Sequence, residues 1–128
     1  MQAQLLYGET ETIRYTTTPA VTRNTVVVIG TSPGTGFAAV AMADIAATEE
    51  GAVTVSGVFE VVKEDAADFS VGETVYWSAT GDPMGGDAET GALTDNAENY
   101  PMGIAVEAAG TETSTVKVKL QQPMVASA

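Results

Sequence analysis

The chain contains no cysteine and no histidine. The first absence excludes a disulfide framework and all thiolate chemistry, and it suits assembly in a reducing compartment. The second removes the commonest general base near neutrality, and together they remove the usual ligands of zinc, copper and iron. Cations are scarce too: Arg14, Arg23, Lys63, Lys117 and Lys119 stand against 17 acids, for a formal charge of −12. No nucleic acid is therefore expected as a partner, because such binding gains from neutralising phosphates, and no membrane, because an anionic lipid surface repels the chain. Aromatics are 6% of the residues, too few for a platform that stacks sugars or bases. There is no run of about 18 apolar residues and no basic, apolar leader, so a soluble protein made in the cytoplasm is expected.

What is present is the pattern of a single all-β domain. At 128 residues the chain has length for one core. β-branched and aromatic residues gather in short runs closed by Gly, Pro, Asn or Asp, and these runs predict strands at 12–17, 25–29, 53–62, 74–78, 102–107 and 115–120. In Val116-Lys117-Val118-Lys119-Leu120 the alternation is strict, so both lysines should face water, where they would also guard a sheet edge. Trp77 beside Tyr76 is expected to face inward. Alanines between Phe37 and Ala47 suit either helix or strand, and Glu64 to Phe69 suits one helical turn. Gly81 to Gly91, reading GDPMGGDAETG, is a loop of the kind that touches a partner or moves.

Three regions are expected: an arm plus first strand over 1–20, a β-domain over 21–121, and a short C-terminal tail over 122–128. Met1 to Tyr7 is polar with an apolar Leu5-Leu6-Tyr7 tip, so a flexible arm is predicted that could order on a partner by strand addition. The acidity serves solubility first, and it could also steer the chain toward a basic partner.

The motifs that suggest chemistry fail on their own requirements. Gly30-Thr31-Ser32-Pro33-Gly34 matches the nucleophile elbow, but no histidine exists to act as base and Pro33 removes the N–H due to the oxyanion hole. Gly34-Thr35-Gly36-Phe37-Ala38-Ala39 resembles a dinucleotide fingerprint after the Val26–Ile29 run, with Glu60 near the ribose distance; it demands a helix from Gly36 to about Thr48. Asp82, Asp87 and Glu89 could gather round calcium but lack the EF-hand spacing. Glu49 and Glu50 abut Gly51 as turn residues rather than a carboxylate pair. Catalytic residues, cofactors and metals are therefore all expected to be none, and binding or structure is the expected role.

One ordered frame runs through most of the chain: Asp44-Ile45-Ala46-Ala47, Glu49 to Gly51, Val53-x-Val55-x-Gly57-Val58-Phe59, Lys63, Gly72-Glu73-x-Val75-Tyr76-Trp77, Gly103-x-Ala105 and Val116 to Leu120. This frame resembles the capsid cement, or head decoration, proteins of tailed phages. The resemblance turns the Phe37 to Ala47 segment toward strand and turn. It implies a compact antiparallel β-barrel or sandwich, commonly trimeric, on the outer surface of the virion capsid, where it bridges neighbouring major capsid protein subunits. Thr48 departs from the pattern, standing where the family often has glycine, and the loop from Thr80 to Gly91 is longer than in many members. Candidate contacts with capsid or sister subunits are Leu5, Leu6 and Tyr7 on the arm, Ile13 and Tyr15 on the first strand, and Met84, Tyr100 and Met102; ordinary core packing is the rival reading for Ile13 and Met102. A small virion adaptor of tail or neck, and a Rossmann-like protein with substantial helix, are the alternatives.

Overall fold

A chain with so little helix-forming patterning must satisfy its backbone between strands, and it does so in two sheets. The computed structural model describes residues 2–32, 35–65 and 67–121, and none of these is helical. The strands are β1 (Ala3–Tyr7), β2 (Thr12–Thr16), β3 (Val26–Ile29), β4 (Phe37–Ala41), β5 (Glu50–Thr54), β6 (Val58–Val62), β7 (Thr74–Ser78), β8 (Ala92–Thr94), β9 (Tyr100–Ala105) and β10 (Thr115–Leu120). Six form one sheet in the order β1-β6-β10-β9-β7-β8, and four form a second in the order β2-β5-β4-β3. All pairings within both sheets are antiparallel. The all-β expectation therefore holds.

Alternation assigns the faces. Phe59, Val61, Val116, Val118, Leu120, Val75 and Trp77 of the large sheet point into one core, which also takes Val26, Ala38 and Val40 from the second sheet. The opposite face of the second sheet carries a smaller core of Val27, Ala39, Ala41, Val53 and Val55 around Ile45. The large sheet curls until β8 meets the continuation of β6, through a parallel bridge between Lys63 and Leu93 and a Glu64 N–H donated to the Leu93 carbonyl at 2.9 Å.

Several expectations are corrected. The arm is not free: β1 pairs with β6, Ala3 is buried, and the Gln2 amide is tied at both ends, accepting from the Val26 N–H at 2.6 Å and donating to the Thr90 carbonyl at 3.0 Å. The single run at 53–62 is two strands, because Gly57 turns the chain at φ 110°, a conformation that L side chains resist. Its neighbours are also close, since a Cβ there would lie 3.2 Å from Leu5 Cδ1. The lysines of β10 guard no edge, since β10 lies between β6 and β9. The segment after Gly36 is strand β4 rather than the helix a dinucleotide site needs. Glu64 to Ala67 closes as a hydrogen-bonded turn, with the Ala67 N–H on the Glu64 carbonyl at 3.2 Å, and not as helix. The tail beyond Gln121, together with Pro33 and Gly34 of the elbow pattern, lies outside the described residues.

Candidate interaction surface

β1 and β2 follow one another in the chain yet end different sheets, each as an edge strand. The link between them is pinned rather than loose. Ser56 Oγ donates to the Glu9 carbonyl at 3.1 Å and accepts from the Glu11 N–H at 2.6 Å, while Thr54 Oγ1 donates to the Glu11 carbonyl at 3.0 Å. Two unpaired strand edges are thereby held beside a groove of about 480 Å³ lined by Gly8, Glu9, Glu11, Gly57 and Lys119.

The same two strands carry nearly all the exposed apolar bulk. Leu5, Leu6, Tyr7 and Ile13 are 37%, 38%, 60% and 37% exposed, and Val71 is the only other large apolar side chain so exposed among the described residues. Exposed apolar side chains on an otherwise acidic surface mark a candidate contact site. The bulge between Leu5 and Tyr7 matters here: it shifts the register so that Tyr7 stands opposite Val58, which is flanked on its other side by Lys119. Tyr7, Val58 and Lys119 thus form a row across β1, β6 and β10.

The other candidates do not join this set. Tyr15 is half-buried against the second core. Met84 is half-buried in the long loop, its N–H donating to the Lys63 carbonyl at 3.0 Å. Tyr100 is half-buried at the start of β9, and Met102 is 1% exposed within the large core, so it is closed to a partner.

Lys63 is fully buried, and its Nζ donates to the Ala67 carbonyl at 2.6 Å and the Glu64 carbonyl at 3.3 Å. Burial pushes this ammonium below its ordinary 10.5, against the pull of Asp65 and Asp68. Its task is to close the turn that brings β6 to β8. Lys117 is shifted the other way, upward, first by its hydrogen bond to Glu107 at 3.0 Å and then by the charge of that carboxylate. In the long acidic loop, Asp82 Oδ1 accepts the Glu89 N–H at 2.7 Å, so the carboxylate is engaged in shaping the loop. Among the described residues no group of three or more acids is placed to hold a metal ion.

Sequence reasoning missed one position near the second sheet. Thr17 is buried with no hydrogen-bond partner for its Oγ1 among the described residues, and Glu49 stands exposed beside it. Thr17 carries no local signal; the β2–β5 ladder, continued one rung past Thr16 and Glu50, sets it beside Glu49.

These features define an all-β domain whose exposed apolar side chains fall mostly on two edge strands. The family model of the phage cement protein matches residues 7–120 of the 128, and the chain belongs to that family. Its place is with the phage capsid. No curated protein and no solved structure matches the chain.

Proposed function

We propose that this cement protein binds the outer surface of the phage head, bridges neighbouring major capsid subunits and so stabilises the shell. The observation that carries this reading is the exposure of Leu5, Leu6 and Ile13 on two edge strands joined by one pinned connection. An edge strand offers main-chain groups as well as side chains, so an extended capsid segment can pair with β1 while its side chains cover the leucines. The pinned connection makes this a preformed surface, which lowers the ordering cost of binding.

A few such side chains bind weakly by themselves. The protein acts as a homo-oligomer, in keeping with the trimer that the family resemblance implies, so that several copies engage the shell together. Linked contacts of this kind raise affinity by about 10² to 10⁴ without any new interaction.

The test is cosedimentation with mature heads that lack the protein. The wild-type chain should saturate them at a fixed ratio to capsid subunits. The Leu5→Asp/Leu6→Asp double variant should bind at least about tenfold more weakly while its circular dichroism is unchanged. Point changes are required because deleting 1–7 would remove β1 from its sheet. Undiminished binding by the double variant would sink the proposal.

A further inference from the structure

β2 and β3 are the opposite edges of the four-stranded sheet, yet Tyr15 to Pro19 and Val26 to Val28 line one cavity of about 240 Å³, with Val21 between them. The sheet therefore curls into a trough whose mouth lies between its two free edges. The walls are valine, proline, one tyrosine ring and threonine, with no charged side chain. Thr17 lines this cavity at 3% exposure, and its Oγ1 is the only buried side-chain polar atom without a partner among the described residues. Native folds seldom leave such a group unsatisfied. That atom is sealed from the cavity, so what the cavity offers a guest is its apolar wall, which suits a ring.

Tyr7 carries such a ring, and it is the only exposed tyrosine of the four. Within one chain its register opposite Val58 holds it on the outer face of the other sheet. We infer that Tyr7 of one copy enters the β2–β3 cavity of a second copy, its ring packing on the valines and Pro19 of the cavity wall. Charge supports this occupant. Lys119, exposed and in no salt bridge among the described residues, shares the row with Tyr7. Glu49 is exposed at the lip of the cavity, where its carbonyl accepts the Thr17 N–H at 3.3 Å. The neighbouring Glu50 is already paired with Arg14 at 2.7 Å, so Glu49 is the carboxylate left for the incoming lysine. The contact joins two different patches, which makes it heterologous. Such contacts give a ring where the rotation between copies closes and an open filament where it does not; in a ring every copy has both its tyrosine and its cavity engaged.

This concerns contacts between copies and stands apart from the capsid reading, which uses Leu5, Leu6 and Ile13. The experiment is sedimentation equilibrium of the full chain across a concentration series. Wild-type protein should sediment as a discrete multiple of 13.1 kDa, and Tyr7→Ala should return it to a single chain with circular dichroism unchanged. Tyr7→Phe keeps the ring and should leave association within about threefold of wild type. Lys119→Glu and Glu49→Lys should each weaken it, and the double reversal should restore it. A monomeric wild type, an oligomer indifferent to Tyr7→Ala, or charge reversals that fail to compensate would each overturn the inference. All three altered side chains are exposed, so loss of folding does not confound the readout.

Discussion

The two sheets have the same antiparallel pairing and opposite ways of ending. The six-stranded sheet curls toward closure, with Lys63 clasping the turn that carries β6 to β8, and its core contains Phe59, Phe69, Trp77, Leu93 and Met102. The four-stranded sheet stays open between β2 and β3, and its own core is valine and alanine around one isoleucine. Large rings and a clasp give the first sheet its stability. Small residues and free edges leave the second able to accept something from outside. The difference teaches that one short domain can separate the part that holds from the part that docks.

The largest expected effect tests the holding side. Phe59→Ala should cost about 3–5 kcal/mol, since it empties the centre of the large core. Ile45→Ala should fall toward the lower end of its class, about 2–3 kcal/mol, because it removes less volume from a smaller core. Denaturant midpoints measure both. Hydrogen exchange sharpens the contrast: Ile45→Ala should speed exchange in β2 and β3 while β6 and β10 stay protected, whereas Phe59→Ala should loosen every strand. Equal and global loosening by both variants would erase the distinction between the sheets.

Lys63→Met tests the clasp itself. Methionine keeps the apolar stem but strands the Glu64 and Ala67 carbonyls, at a cost of about 1–3 kcal/mol. The pH dependence follows from the direction of the shift. The folded-state pKa of Lys63 is lowered, so between that value and 10.5 the unfolded chain binds more protons than the folded one. Stability from this group is therefore fully present above 10.5 and is lost as pH falls through the lowered value. Raising pH toward 10.5 should widen the advantage of the wild type over Lys63→Met in thermal melts; a narrowing would mean that burial does not dominate the site.

Much of the holding side was legible in the sequence, and little of the docking side was. β7 and β10 fall where their alternation put them, and Trp77 faces inward because Tyr76 cannot do so as well. β1 was invisible because Ala3-Gln4-Leu5-Leu6-Tyr7 has no period; it becomes a strand only through its pairing with Val61, Glu60 and Phe59, more than 50 residues away. β8 is three residues long and is defined by β7 on one side and the Lys63 bridge on the other. The apolar tip at Leu5 to Tyr7 was visible as composition, but its rigidity depends on Ser56 and Gln2 making distant hydrogen bonds. Met102 read as a candidate contact because sequence spacing cannot tell a core methionine from a surface one. The orphaned Thr17 hydroxyl depends on the β2–β5 ladder, which no local pattern encodes.

The smallest expected effect lies in a turn of the open sheet. Thr48 has φ 62°, and the Glu49 N–H reaches the Ala46 carbonyl at 3.0 Å, so Thr48 is the third residue of a β-turn whose φ glycine accepts without strain. Asn24 holds a similar φ of 69° in the preceding turn, but asparagine tolerates that region and a β-branched residue does not. Thr48→Gly should relieve roughly 1–2 kcal/mol of backbone strain, set against about 0.4–1 kcal/mol from the greater freedom of glycine in the unfolded chain. The Thr48 hydroxyl bond to the Ala47 carbonyl is exposed, so its loss weighs little, and the backbone N–H keeps its 2.7 Å bond to the Thr17 carbonyl. The net expectation is a gain of about 0.5–1 kcal/mol, read as a rise of a few degrees in melting temperature. Because that N–H anchors the backbone of Thr17, a stabilised turn should also slow exchange at the cavity lip without touching the large sheet. A destabilised Thr48→Gly would show that the threonine side chain, and not the backbone angle, decides the turn.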